Sequence, residues 1–593
     1  MSRGRDEEPP ATASDALGAL VVDDLRGLAA LAGGGTVQGR KAELVALIAA
    51  RLAGDGLSRI FAGLGAVEQA AVAEAAHAAD GRFDAARFRS KYGSEPQWGS
   101  RDRRSKTGAS ALDLLFCGGR TLPVEVRAGL LAFVAAPAPS GVGQSDAPPA
   151  ATIVETEHAA QRDVAAVLRL IQAGRLTVSA TTRRPGAAAV KLVASVLDGG
   201  DFYPDDADVG AIKAFAWPLL VQAGGLAALS GSRLTLTRAG TRALGEAPAV
   251  TLARTWVKWQ STKLIDELSR VTAIKGQGGR GRRGLTALAG RRAVLAEGLA
   301  DCPVGRWVAV DEMFRHMRAA DLGFVVTRDP WRLYIEDPEY GSLGYEGGAG
   351  WGILQTCYAL VLLLEYAATL GIIDVACVPP GGARSDGEDL WGAGDLDFVS
   401  RYDGLTHIRV NALGAVCLGH VDRYVPTPAA QRAALRVLPN FEVTALGDEL
   451  THSDRLALDR YAERTADRVW VLGRERLLAA AQSGDSIERV RDFLASRSAT
   501  ALPGPVTQLL EDVARRAGAL VERGPALLIE CAEPALAVRL SRDRATSGLC
   551  LLAGDRMLAV PATSEAAFRR AARTLGYGVS GGAESPRRGG GSP

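Results

Sequence analysis

No Gly-x-x-x-x-Gly-Lys-Ser/Thr loop occurs in the 593 residues. A nucleotide-driven motor needs one, because backbone N–H groups and a lysine must hold the phosphates. The nearest stretches, Arg104-Ser105-Lys106-Thr107 and Gly278-Gly279-Arg280-Gly281-Arg282-Arg283-Gly284, have the wrong spacing. Cysteine is sparse: seven residues, scattered, with no C-x-x-C pair. With only six dispersed histidines, a structural zinc site is disfavoured. The wide cysteine spacing suits reduced thiols and a cytoplasmic protein. Long apolar runs are missing too. The most apolar stretch, Tyr358 to Ile373, is broken by Glu365 and falls short of the ~20 residues that span a bilayer. It predicts a buried helix and no membrane partner. The opening MSRGRDEEPP is polar and acidic, without the apolar core of a signal peptide.

Acidic clusters are present but lack catalytic spacing. Asp201, Asp205, Asp206 and Asp208, and the segment Asp386 to Asp397, lie among Gly and Pro and have no histidine at ligand spacing. Glu157-His158 reads as an isolated surface pair. The sequence therefore predicts a non-enzyme, with no catalytic residue, no metal and no cofactor.

The chain is too long for one hydrophobic core, and three to five domains are expected. Apolar residues at 47% and charged residues at 23% match a soluble globular protein. Net charge is only +2, so any nucleic-acid surface must be local. The predicted fold class is mainly α with small β-hairpin wings, in winged-helix-like units, plus a C-terminal α/β domain.

Residues 1–13 read as a disordered leader. Residues 14–54 hold two short amphipathic helices around a glycine turn, ending in Gly39-Arg40-Lys41-Ala42-Glu43-Leu44. This resembles a SAP module, a small helical DNA-binding unit, and implies phosphate contacts by Arg40 and Lys41. It departs from that pattern at Gly33–Thr36. Residues 55–136 read as a helical domain with the basic cluster Arg101, Arg103, Arg104 and Lys106 after Tyr92 and Trp98, a candidate phosphate grip or a solvated loop. Residues 137–150, rich in Pro, Gly and Ser, read as a linker.

Residues 151–247 predict helices closed by a hairpin: Leu234 and Leu236 alternate after a Gly-Ser turn. Similar grammar returns in 301–437, where Leu363–Leu370 leads to Ile408-Arg409-Val410, so two winged-helix-like units are expected. Between them, 248–300 carries the most basic run. Arg270, Lys275, Arg280, Arg282, Arg283, Arg291 and Arg292 occur with no acid between the first and last, and Trp256 and Trp259 precede them. A flexible Gly/Arg loop of this kind would track a phosphate backbone. Tyr340–Tyr345 and Arg401–Leu405 place aromatics beside glycines, and the preferred reading is structural turns with tyrosines closing the core.

Residues 438–579 alternate strands and helices, and 580–593 read as a disordered tail. The ordered segments Leu438-Pro-Asn-Phe-Glu-Val443, Val469-Trp-Val-Leu-Gly-Arg-Glu-Arg476, Phe493-Leu-Ala-Ser-Arg-Ser498, Leu502-Pro-Gly-Pro-Val506 and Leu575-Gly-Tyr577 resemble the bacterial XPB-helicase N-terminal-like, or helicase-conserved C-terminal, domain family. That resemblance covers about a quarter of the chain. It implies association with DNA and with a separate helicase, ATPase or nuclease, and it transfers no catalytic residue. The leading expectation is a DNA-binding accessory protein, on duplex or forked DNA, in genome maintenance or antiviral defence. A protein–protein scaffold is the alternative, and a transcription regulator the third.

Overall fold

A computed structural model describes residues 12–580 apart from 34–37, 100–107, 146–150, 204–208, 346–350, 386, 388, 429–433, 447–449, 451, 484 and 521–523. The chain is about 48% helical with small antiparallel sheets. It divides into two units: residues 1–476 with 492–503, and residues 477–491 with 504–593.

The first unit begins with α1 (Ala13–Gly18), α2 (Val22–Gly33), α3 (Lys41–Arg51), α4 (Asp55–Ala62), α5 (Ala66–His77), α6 (Ala85–Tyr92), α7 (Ala111–Leu115) and α8 (Val124–Leu131). Helix starts are fixed locally. Thr12 caps α1 and Asp84 caps α6 through the backbone N–H three residues on, and Ser110 with Asp113 forms a capping box on α7. One apolar core, from Ala13 to Val134, joins all eight, so the helices of the SAP-like segment share their interior with those that follow.

The next core runs from Ala160 to Leu413. Its elements are β1 (Thr152–Val154), α9 (Glu157–Gln172), α10 (Ala187–Ala194), α11 (Lys213–Ala223), β2 (Ala227–Ser230), β3 (Arg233–Leu236), α12 (Arg238–Ala243) and α13 (Pro248–Ser261). A 3-10 turn at Glu267–Arg270 follows, then β4 (Ile274–Lys275), α14 (Gly279–Gly284), α15 (Leu288–Ala300), β5 (Trp307–Ala309), α16 (Val310–Ala319), β6 (Tyr334–Ile335), α17 (Ile353–Val361), a π-helical stretch at Leu362–Ala368, β7 (Ile373–Cys377), β8 (Leu405–Val410) and α18 (Ala412–Cys417).

The same order occurs twice: three helices, then an antiparallel strand pair, closed by a tight turn in the first and by residues 378–404 in the second. In the first, α9, α10 and α11 precede β2–β3, and Thr177 bridges back to Arg233. In the second, α15, α16 and α17 precede β7–β8, and β5 pairs with β8, giving the sheet order β1-β7-β8-β5. The two third helices pack on each other, α11 against the π-helical stretch, and both are buried along almost their whole length.

Asp201 positions α11. Its carboxylate accepts the N–H groups of Ile212, Lys213 and Ala214 at 3.1, 2.9 and 3.1 Å, satisfying donors that a helix start leaves without partners. Glu157, expected at the surface, is buried instead, and accepts from the Tyr424 hydroxyl and the Thr427 N–H.

β9 (Leu435–Val437), β10 (Glu442–Ala445), β11 (Ala462–Ala466) and β12 (Val469–Leu472) form a second four-stranded sheet, ordered β11-β12-β10-β9, with α19 (His452–Tyr461) between β10 and β11 in sequence. Arg497 ties this part to the preceding core, donating to Asp454 at 2.9 Å and to Asp198 at 3.1 Å. α20 (Arg474–Gln482) and α21 (Ile487–Arg497) lie across the unit boundary in sequence. The second unit holds α22 (Gly504–Ala517), β13 (Ala526–Glu530), α23 (Pro534–Arg542), β14 (Leu551–Leu552), β15 (Met557–Pro561) and α24 (Glu565–Thr574), with sheet order β13-β15-β14.

Buried ion pairs knit the central core. Arg292 is fully buried against Glu267, also fully buried. Its Nε donates to Glu267 Oε1 at 2.8 Å, and its other donors reach the carbonyls of Trp259, Thr262 and Ile265 at 2.7–2.8 Å. All five guanidinium N–H positions are used when Glu267 is counted twice. Arg291 forks onto Asp266 at 3.0 and 2.6 Å. Arg270 donates to Glu365, in the π-helical stretch, at 2.8 Å, and stacks 3.7 Å over the Phe215 ring. The buried hydroxyl of Tyr402 also donates to Glu365.

Two predictions follow from this interior. Arg292→Ala leaves Glu267 in the core without its guanidinium partner, with only the Tyr358 hydroxyl at 2.7 Å still donating to its side chain among the described contacts, which costs about 3–5 kcal/mol. The urea midpoint of the first unit should fall accordingly, and Arg292→Lys should not restore it, because an ammonium lacks the planar fork. The second concerns Asp163, fully buried, with Oδ1 accepting from the Asp198 N–H at 2.6 Å and Oδ2 3.4 Å from Lys213 Nζ. Burial pushes its carboxyl up to about 6, with Lys213 pulling it down only in part. The protonated form is thus favoured by folding, so this contribution is complete below about pH 4 and disappears as pH rises through about 6. Its size is roughly 2–3 kcal/mol. Urea denaturation of wild type and Asp163→Asn across that window should show the difference shrinking towards low pH.

Candidate nucleic-acid interface

The basic run divides into two populations. Arg270, Arg291 and Arg292 are core residues, each held by a carboxylate. The expectation that they reach a phosphate backbone is corrected, because the acids that neutralise them, Asp266, Glu267 and Glu365, lie just outside the run or far along the chain. Trp256 and Trp259 are buried beside them, their rings stacked 5.2 Å apart. Lys275, Arg280, Arg282 and Arg283 remain exposed. No acid among the described residues pairs with the three arginines.

Nor is the Gly/Arg segment a flexible loop. It forms α14, a short helix clipped at both ends to residues 325–335. Before it, Ile274 and Lys275 pair with Ile335 and Tyr334. After it, Leu285 bridges Thr327, and Arg328 N–H donates to the Gly284 carbonyl at 2.8 Å. Gly281 makes the fit possible: a Cβ there would sit 1.9 Å from the Gly276 carbonyl oxygen. The glycines therefore permit close backbone packing, and the arginines between them are pushed outward on a fixed scaffold.

The segment that clips α14 brings residues the sequence did not single out. Trp331 lies in the turn packed against α14, between Arg328 and Arg332, both exposed. Arg332 donates to Asp329 at 3.3 Å, an exposed pair. Trp331 meets Tyr345 edge to face, with ring centroids 4.8 Å apart. Trp331 is 56% and Tyr345 72% exposed. Tyr340 is likewise exposed, in contact with Trp391. The preferred reading of Tyr340 and Tyr345 as core-closing is therefore corrected, whereas Tyr402 does close the core. The visible signal was Arg328-Asp-Pro-Trp331-Arg332, an indole bracketed by two guanidiniums.

Other candidates fall elsewhere. Arg40 and Lys41 are exposed at the start of α3, where Glu43 accepts the Arg40 N–H at 3.1 Å. Arg101, Arg103, Arg104 and Lys106 lie outside the described residues, as do Asp205, Asp206 and Asp208. The aromatics expected to help that cluster are engaged: Tyr92 stacks on Phe88 at 4.4 Å, and Arg120 covers the Trp98 ring at 3.5 Å. Asp201 is the helix cap described above. Among the described residues, no group of His, Cys, Asp and Glu is placed to hold a metal ion, and no helix is long and apolar enough to cross a membrane. None of the seven cysteines forms a disulfide.

Neither a protein-family model nor a curated protein matches the chain.

The geometry separates surface from scaffold in a measurable way. Changing Arg280, Arg282 and Arg283 together to Ala should shift stability by no more than about 0.5 kcal/mol per site, the usual limit for exposed positions. Gly281→Ala, which forces a methyl into the Gly276 carbonyl, should lower the melting temperature by several degrees. Thermal denaturation of the two variants checks both.

Proposed function

We propose that this protein is a non-catalytic DNA-binding accessory factor that positions a separate helicase, ATPase or nuclease, with α14 as its main phosphate contact. The observation that carries this reading is the presentation of Arg280, Arg282 and Arg283, without acidic partners among the described residues, on a short helix clipped at both ends. Three fixed guanidiniums in a near-neutral protein create a local positive field, and each phosphate they neutralise releases a condensed counterion. Exposed Lys275 and Arg328 extend the same patch.

We read the two helix–hairpin repeats as winged-helix-like units. Element order and strand pairing support this, including the return of Thr177 to Arg233 and of β5 to β8. In a DNA-reading winged helix the third helix enters the major groove. Here both third helices face the interior, so on this reading the units build the body and leave DNA contact to the segments inserted around them. That same burial favours a second reading, a scaffold whose winged units serve assembly.

Salt dependence distinguishes the two. On the DNA reading, full-length protein should bind labelled duplex, forked and single-stranded DNA more weakly as salt rises, and changing Arg280, Arg282 and Arg283 to Ala should reduce the slope of log K against log salt by about 2–3. Absence of binding to every form at low salt would sink the DNA reading and leave the scaffold.

A further inference from the structure

We infer that the Trp331–Tyr345 pair and α14 together form a binding site for single-stranded nucleic acid, read by base stacking rather than by groove contacts. This rests on the phosphate-binding role proposed for α14 and adds the kind of strand it takes. Exposed tryptophan and tyrosine side chains lose the burial that normally stabilises large rings. Here the indole is packed from below and the two rings touch each other. Gly344 lies directly beneath the indole, since a Cβ there would come within 2.2 Å of Trp331 Cδ2. Tyr345 braces the indole edge to face. Flat, fixed, exposed rings beside unpaired arginines are the two components of single-strand recognition: a stacking platform and a cationic track.

Three further features favour a single strand over a duplex. Bases inside a duplex offer no free face to a ring, whereas unpaired bases do. Both third helices are buried, so neither repeat supplies a helix for the major groove. A cleft of about 550 Å³ continues from the same turn, lined by Pro330, Phe324 and Trp351, with two arginines, Arg87 and Arg318, and two aspartates, Asp84 and Asp321, further along. It is wide enough for an unpaired nucleotide and too small for a helix of DNA.

The test uses full-length protein, a labelled oligothymidine of about 15 nucleotides, which is within the usual footprint of such sites, and a hairpin duplex carrying the same number of phosphates. Anisotropy titrations at two salt concentrations compare wild type, Tyr345→Ala, Tyr345→Phe and the Arg280/Arg282/Arg283→Ala variant. Tyr345 is largely exposed, so its replacement leaves folding intact, which thermal denaturation verifies. The expected result is a loss of about 10-fold in oligothymidine affinity for Tyr345→Ala, rescue by Tyr345→Phe, an unchanged salt slope, and little effect on the duplex. If oligothymidine and duplex bind alike, and only the arginine variant weakens them, the stacking site is overturned while the phosphate-binding role of α14 stands. If neither probe binds at low salt, both readings fall together.

Discussion

The pairing of Glu267 with Arg292 is the constraint on which the central body depends. An ionised carboxylate and a guanidinium sit together where no water reaches them, an arrangement tolerable only when every donor finds an acceptor. Arg292 meets that condition by gathering three carbonyls, one from the last turn of α13 and two from the segment after it. The turn that supplies Glu267 also supplies Asp266 for Arg291 and Arg270 for Glu365. One short stretch, residues 262–270, thus anchors α13, α15 and the π-helical segment at once, and the two helix–hairpin repeats cannot part without stranding charge in a low-dielectric interior.

Closure of the core has a functional corollary. With α11 and α17 turned inward, the parts of each repeat that in other contexts would face a partner are occupied. On the reading proposed above, recognition is displaced to the insertions: the basic helix α14 between the repeats, and the Arg328–Tyr345 segment that interrupts the second. These insertions clip to each other through short backbone pairs. The positive surface and the aromatic surface are therefore one construction, although about 50 residues separate them in sequence.

Local features were legible and long-range ones were not. The hairpin around Gly231-Ser232, the strand Val469–Leu472 and the buried character of Tyr358–Ile373 follow from alternation, turn chemistry and hydropathy, all properties of neighbouring residues. The fate of the arginines is different. Arg270 and Arg282 sit in the same basic run, yet one is neutralised by Glu365, 95 positions away, and the other faces solvent. No window of sequence distinguishes them. Counting charges within the run overstated the positive surface, since acids outside the window do the neutralising. The glycines misled in a related way: they suggested flexibility, but Gly281 serves a close backbone contact. Trp331 escaped notice because its exposure is set by Gly344 and Tyr345 beyond the next strand.

The π-helical stretch at Leu362–Ala368 carries a consequence for how this chain can change over time. A π-turn holds one more residue per turn than an α-turn. Loss of a single residue there would let the backbone relax to ordinary α-helix with its hydrogen bonding preserved, so propensity alone would welcome it. But each α-helical residue advances the side chains by about 100°, and such a loss would swing the carboxylate of Glu365 away from Arg270 and Tyr402. The helix keeps a length that its own backbone does not require. Relatives that lack the surplus residue would be expected to have lost the acid and its cation together, giving the gap a chemical signature distant in sequence from where it falls.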